Sequence, residues 1–404
     1  MSDSHPTIVL PTSFRYDEVK HVPKDEAKAA PATPPAPLGI LSHFQGEFVG
    51  RGFNLIFRPN SAPPGNTTFP TPLPPPPVPN PPNENVLELN LTTETLSFSN
   101  SLGNVPNRGL EEQHDIFLNG VPYVQAINDV TNPATGKADG PPTGIHFEPG
   151  LWMHVPATRN VPELAESLVR MASIPHGTTI NAQALAPTAS IKGPPDIRPV
   201  DITPFVIGQP ANKIRFASQT AASTNTPRLP QDLSKFIAAG TITQAILDDP
   251  NTILRQAIAG QTIVETVVFT VATSPAVPEF GGGTDNIAFL EGNAAITKPN
   301  ADAVSMTATF WIETVEHELR IPPFKVGSPP LIVKAPTPHP EQLAPTFQIS
   351  PPHEIPEPRT ITVRTTQIQY SQIVLLNFAG LIWPHVSVAT LTPSTLQVVP
   401  PSAW

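Results

Sequence analysis

Residues 86–98 have the sequence VLELNLTTETLSF, in which apolar and polar side chains alternate. The leucines at 87, 89 and 91 fall on one side of an extended chain, and the polar residues between them fall on the other. Alternation with a period of two predicts a β-strand with one buried face. Residues 48–58 repeat the pattern, with Phe53, Leu55 and Phe57 sharing a face. The two segments therefore predict a protein built from β-strands.

Segments of the same type recur along most of the chain, at residues 116–128, 144–155, 168–174, 178–185, 203–207, 213–219, 262–272, 303–315 and 360–391. About ten strands in sequence, with one helical interruption, predict an antiparallel meander that closes into a barrel. The fold class expected from the pattern is therefore all-β.

The helical interruption covers residues 229–260. The stretch Pro230–Ser234 can open one helix, and Thr241 with Gln244 forms a capping-box pattern. Asp249-Pro250 can start another helix that ends near Gly260. Because strands flank this stretch on both sides, we expect a short helical lid over the barrel mouth.

The chain contains 56 prolines, which break helices and favour loops and short strands. Residues 1–38 have the composition of a proline-rich N-terminal arm. Residues 61–85 and 321–358 are predicted to be proline-rich inserted loops. The expected organisation is one β-barrel domain over residues 39–400, with these two insertions and the helical one.

Charge and composition exclude several classes of protein. The net charge is −10, which argues against a surface for nucleic acid or anionic membrane. No apolar run is long enough to span a membrane, and no signal peptide is evident, so a cytoplasmic protein is expected. The absence of cysteine excludes disulfides, thiolate metal sites and thiolate haem ligation. No pattern specifies an oligomeric state.

Four motifs occur in the order in which one family of small barrels carries them. Residues 46–52, GEFVGRG, resemble the Gly-x-x-x-Gly-x-Gly pattern that begins the nitrobindin-like haem-binding proteins, with Phe48 where that family usually has Trp. Residues 117–125, FLNGVPYVQ, are similar to the family's aromatic strand with a Gly-x-Pro turn. Residues 146–150, HFEPG, fit its His-x-Glu-x-Gly strand, and residues 171–177, MASIPHG, stand where it places an Ala-x-Pro-x-Gly turn.

The C-terminal strands carry the last part of the resemblance, which covers about half the chain. The family closes with a Tyr-bearing strand and a His-x-x-Ala-x-Leu-like end that supplies the proximal haem histidine. Tyr370 and His385 occupy the corresponding places, with the small residue shifted by one position. The resemblance implies a calycin-like barrel that binds haem b, with His385 as the iron ligand. It further implies binding of a small diatomic such as NO, or peroxidase-like activity.

Several residue patterns suggest further site residues. His385 has the small neighbours Ser387 and Ala389 on its strand face, against which a flat cofactor can lie. His146 and Glu148 share a strand face, as expected for a metal site, for an acid–base pair or for a structural hydrogen-bonded couple.

The turn Pro175-His176-Gly177 places its histidine either in solvent or over the barrel mouth, as a distal histidine. Arg108, in the turn Asn107-Arg108-Gly109, is a candidate anchor for a haem propionate or another carboxylate. Arg58 and Arg170 are alternative anchors, and each of the three arginines is equally suited to a surface ion pair.

Three functions remain open at this point, and enzymatic activity is undecided among them. The first is haem binding through His385. The second is a metal-free carrier of a lipid or aromatic metabolite, which needs only an apolar barrel cavity. The third is a cofactor-free isomerase or cyclase that works through His146 and Glu148. All three have a small apolar or planar ligand in the barrel as the partner.

Overall fold

The fold is a closed barrel, seen in a computed structural model that describes residues 36–59, 85–110, 114–159, 163–275, 281–291, 300–400 and 403–404. Consecutive barrel strands pair antiparallel, and the last strand pairs back onto the first. The predicted all-β antiparallel barrel of about ten strands is confirmed. Its strands are β1 (Gly46–Pro59), β2 (Asn85–Phe98), β3 (Ile116–Asp129), β4 (Thr143–Val155), β5 (Ser167–Ile174), β6 (Thr178–Leu185), β7 (Thr262–Ala272), β8 (Asp302–Ile321), β9 (Arg359–Phe378) and β10 (Leu381–Pro393).

Two neighbouring strands of the barrel are joined by fewer paired residues than the others. Strands β6 and β7 meet at a single register pair, Gln183 with Ala272. A short strand, Gly283–Asn286, pairs with β6 beside this point, and the Asn286 side chain bonds to the backbone of Ala303 in β8. The short strand Gly283–Asn286, which lies between β7 and β8 in the chain, therefore helps to close the barrel wall.

The barrel interior holds one apolar cluster to which all ten strands contribute. A 3-10 helix, Gly39–His43, adds Leu41 to this cluster and is followed by Phe44. Phe44 stacks on Phe98 with ring centroids 4.7 Å apart and meets Trp152 edge-on at 5.6 Å. This segment therefore plugs one end of the barrel with aromatic side chains.

The helical stretch is present but lies elsewhere than expected. It forms α1 (Ser234–Ala239), α2 (Gln244–Asp248) and α3 (Thr252–Ala257). Their apolar side chains pack against the outward faces of β1, β2 and β10, in a second cluster that includes Phe53, Leu89 and Phe236. The helices cover the outer wall rather than the mouth, because the apolar side chains at 53, 55 and 57 in β1 and at 87, 89 and 91 in β2 point away from the barrel interior.

The predicted insertion 321–358 has a structure of its own. Strands Leu331–Lys334 and Thr346–Ile349 pair antiparallel, and Gln397–Val398 joins the second in parallel. They cover a third apolar cluster at the far ends of β8 and β9, which includes Leu319 and Ile361. Residues 1–35 of the expected arm and 61–84 of the expected first loop lie outside the described residues.

Several smaller elements depart from the sequence expectation. The predicted strand 213–219 is a strand at Gln209–Lys213 followed by a 3-10 helix, Ala217–Gln219, because the Gln219 side chain accepts a hydrogen bond from the Phe216 backbone N–H at 2.9 Å. The predicted segment 360–391 is a hairpin that turns at Ala379 and Gly380, both with positive φ. The remaining short elements are Val105–Asn107, Ile191–Lys192, Phe205–Val206, Arg228–Leu229 and α4 (Ala288–Glu291). No helix among the described residues is long and apolar enough to cross a membrane.

Candidate functional site

Arg170 forms the centre of a polar layer inside the barrel. Its side chain comes from β5 and is almost fully buried. Arg170 donates to Glu148 Oε1 at 2.7 Å, to the Tyr123 hydroxyl at 2.9 Å and to Gln372 Oε1 at 2.7 Å. The guanidinium carbon also lies 5.6 Å from the ring centroid of Phe310. A buried guanidinium is tolerated only with such a full set of acceptors.

Glu148, on β4, is the ionised partner of Arg170. It also accepts hydrogen bonds from the Tyr123 hydroxyl and from His146 Nε2, the latter at 3.1 Å. Burial alone would raise the pKa of Glu148, but the Arg170 charge and these hydrogen bonds outweigh burial and lower the pKa to about 2. Glu148 is therefore a carboxylate throughout the neutral pH range.

Glu94, on β2, is the second carboxyl of the layer, and its pKa is shifted in the opposite direction from that of Glu148. The Tyr370 hydroxyl and Gln125 Nε2 each donate to it at 2.7 Å. Burial raises the pKa of Glu94 to about 7, although these hydrogen bonds oppose the rise. The same layer thus holds one permanent carboxylate and one carboxyl that exchanges a proton near neutral pH.

Three histidines lie toward the end of the barrel opposite the 3-10 helix. The ring centroids of His146 and His176 lie 5.8 Å apart. His176 is exposed and bonds through Nε2 to the Ile145 carbonyl at 3.0 Å. On β10, the His385 ring accepts at Nε2 a hydrogen bond from Asn54 Nδ2 at 2.9 Å. The histidines reach this end from β4, from the β5–β6 turn and from β10.

Burial keeps His385 neutral. Desolvation lowers the pKa of His385 to about 3, and the nearby charges of His146 and His176 lower it further. With Nε2 accepting from Asn54, the proton of the neutral ring is on Nδ1. Asn54 also donates to Ser387 Oγ at 2.8 Å, which fixes the amide that faces the histidine.

The structure brings together five of the six residues singled out from the sequence, namely His146, Glu148, His176, Tyr370 and His385. Arg108 is not among them: it forms an exposed ion pair with Asp115. The turn that carries Arg108 follows a short strand paired with the start of β3, away from the polar layer. Of the alternative anchors, Arg58 pairs with Glu88 at 2.9 Å, and Arg170 is the arginine inside the barrel.

Sequence reasoning missed Glu94, Asn54, Tyr123 and Gln125. Each lies on an inward face, and the first two belong to the strands with the clearest apolar faces, β1 and β2. The available signal was the polar half of the alternation in residues 86–98. The pattern does not assign these polar residues to the barrel interior, because the apolar face of a strand is normally the one that packs on the core.

The donor set suits a porphyrin better than a bare metal ion. Among the described residues, no group of three His, Asp or Glu side chains is arranged to hold a metal ion. A porphyrin supplies its own four nitrogen ligands, so that one neutral imidazole is enough to hold the iron. His385 meets this need, at the cost of exchanging its hydrogen bond with Asn54 for the bond to iron. By its donor chemistry, the imidazole of His385 is compatible with haem.

The arrangement has two chemical capacities: coordination through a neutral imidazole at the histidine end, and proton exchange at Glu94 in the layer beneath it. Glu148 and Arg170 form a buried ion pair in the same layer as Glu94. Comparisons of the chain with protein-family models, with curated proteins and with solved structures found no match.

Proposed function

We propose that the protein binds haem b inside its barrel, with His385 as the axial ligand of the iron. The observation that carries the proposal is that His385 on β10, His146 on β4 and the exposed His176 all belong to the same end of the barrel, with the His146 and His176 rings 5.8 Å apart. The resemblance in the sequence implies His385 as the haem ligand, and the turn at His176 makes that residue a candidate distal histidine. A neutral imidazole with small neighbours on its strand face is the ligand that haem iron requires.

The protein's own residues have distinct parts in this function. His385 would hold the iron, and Ser387 and Ala389 are its small neighbours on the same strand face. His146 and His176 supply hydrogen-bonding groups at the same end. When bound, haem would supply iron for binding a small diatomic such as NO, or for peroxidase-like chemistry.

Titration with haemin, followed by visible absorption, tests the proposal. The parent protein is expected to give a shifted Soret band that saturates at one haemin per chain, and the His385→Ala variant is expected to lose or shift it. The matched control is His317→Ala, because His317 lies on β8 outside the polar layer and bonds to Thr365 at 2.9 Å. A parent that takes up no haemin, or variants that behave alike, would overturn the proposal.

A second candidate is a cofactor-free isomerase or cyclase, and the difference between the two carboxyls favours it. The sequence indicated His146 with Glu148, but a carboxylate with a pKa of about 2 is a weak base. Glu94, with a pKa of about 7, is the better proton carrier near neutral pH. This candidate therefore assigns the proton transfer to Glu94.

Native mass spectrometry of protein purified without added haemin distinguishes the remaining candidates. If a bound organic molecule is found, the next step is to measure whether the protein converts it. The enzyme is supported if this conversion is lost in Glu94→Gln and kept in His385→Ala. A molecule that is bound and released unchanged would support the metal-free carrier of a lipid or aromatic metabolite. The charged layer around Arg170 makes a wholly apolar ligand the poorer fit.

A further inference from the structure

A cavity of about 470 Å³ lies outside the barrel. It lies between the outer wall of β1, β2, β9 and β10 on one side and α3 with the loop 339–343 on the other, and it opens to solvent. Gln367 and Thr390 line it, whereas their neighbours Ile368, Ala389 and Leu391 belong to the interior cluster. The cavity is therefore separated from the histidine end by the barrel wall.

The wall side of this cavity presents amide groups that are held in place. Gln261 and Gln367 bond to each other twice, from Nε2 to Oε1 at 3.2 Å and at 2.9 Å. Gln367 Nε2 also donates to the buried carboxyl of Glu313 at 2.6 Å. This pairing leaves the second N–H and the second lone pair of the Gln261 amide for a ligand.

A hydroxyl group is fixed close by in the same way. Gln369 Nε2 donates to Thr390 Oγ1 at 2.6 Å, which directs the hydroxyl proton of Thr390 to another acceptor. The cavity thus offers both donors and acceptors in fixed positions. A ligand that matches them carries groups that can donate and accept at once, as hydroxyl groups do.

The other lining groups select for a neutral, amphipathic molecule. The charged groups balance, because Arg51 pairs with Glu341 at 3.1 Å and Lys137 lines the cavity together with Asp139. Apolar side chains complete the lining, among them Leu91, Ile253 and Leu343. Balanced charge removes any preference for an ion, and apolar surface beside hydroxyl-binding groups suits the C–H face of a sugar ring.

We propose that this cavity binds a short neutral saccharide. Its hydroxyl groups would bond to Gln261 and Thr390, and its ring face would pack on Leu91 and Ile253. An adjoining cavity of about 290 Å³ shares Gln261, Leu343 and Gln367 in its lining, and it gives space for a second sugar ring. The proposal does not depend on haem binding.

Saturation-transfer NMR on the full chain, with maltose, sucrose and N-acetylglucosamine at millimolar concentration, tests the proposal. At least one of these neutral sugars should show transfer, and glucuronate, which is charged, should show much less. Gln261→Leu should weaken the binding about tenfold. Ala239→Phe, which fills the cavity from the end of α1, should abolish it, whereas the neighbouring Ala238→Phe should leave it unchanged.

His385→Ala should bind the sugar as the parent does, which separates this result from the haemin titration. Thermal melts of the alanine-to-phenylalanine pair establish that both variants fold. Absence of transfer from all three neutral sugars, equal binding of glucuronate, or sugar binding unchanged in Ala239→Phe would each overturn the proposal.

Discussion

At the scale of single residues, Glu148 and Arg170 are the most tightly constrained pair in the barrel. Both are buried, and each neutralises the other at 2.7 Å. We expect Glu148→Gln to lower the free energy of unfolding by about 3 to 5 kcal/mol, because the change leaves a guanidinium buried without its countercharge. Urea unfolding of the two proteins measures this difference.

The control for that experiment is an ion pair at the surface. Glu316 accepts from Arg364 at 3.0 Å on the outside of β8 and β9, where Arg364 is largely exposed. Glu316→Gln should cost about 1 kcal/mol or less. Similar losses in the two variants would contradict the central place given to the Arg170 layer.

Glu94 makes a prediction about pH. Its pKa rises from 4.5 to about 7 on folding, so the folded state binds the proton more tightly than the unfolded chain does. The resulting stability is fully present below pH 4.5 and is lost as the pH rises through 7, by roughly 3 kcal/mol in all. Glu94→Gln should remove this part of the pH dependence.

Unfolding midpoints measured between pH 4.5 and 8 in both proteins check the Glu94 prediction. Part of the slope should persist in the variant, because burial also raises the pKa of Glu313 to about 8. Equal slopes in the parent and in Glu94→Gln would show that Glu94 keeps an ordinary pKa in the folded protein.

At the scale of elements, the helices stabilise the barrel from outside. Phe236 of α1 is fully buried against the outer faces of β1 and β2, whereas its neighbour Ile237 is exposed. Phe236→Ala should therefore cost about 3 to 5 kcal/mol of unfolding free energy, and Ile237→Ala about 1 kcal/mol or less. Thermal or urea unfolding compares the two. A small loss of unfolding free energy in Phe236→Ala would contradict the claim that the helices stabilise the barrel from outside.

The strands themselves could be predicted from the sequence, since alternation is a local property. Residues 262–272 form β7 with the predicted bounds, and residues 86–98 lie within β2. Which face of each strand points inward is not local. In β2 the leucines at 87, 89 and 91 face the helices and Glu94 faces the interior, because a segment far along the chain covers the outer wall. Sequence periodicity alone does not contain that information.

The same reasoning explains the outcome for the candidate site. His385, Tyr370 and His146 could be named because they lie in recognisable motifs, and the barrel brings them to one interior. Asn54 and Glu94 lie in segments whose apolar residues dominated the pattern. Arg108 was favoured by its turn motif, but its ion pair with Asp115 needs no ligand.

At the scale of the whole molecule, the barrel separates two chemical environments. The 3-10 helix and its aromatic contacts close one end, and the exposed His176 lies at the opposite end. The outer wall of β9 and β10 faces the cavity beneath α3. Haemin and saccharide should therefore bind independently, and saturation with one should not change the affinity for the other.

The location of the iron tests the central claim most directly. Crystals of the protein grown with haemin, measured at the iron absorption edge, give an anomalous difference map that shows where the metal lies. We predict one strong peak inside the barrel, at coordination distance from the imidazole of His385. A peak at an exposed histidine such as His339, or no ordered iron in the barrel, would contradict the assignment of His385 as the haem ligand.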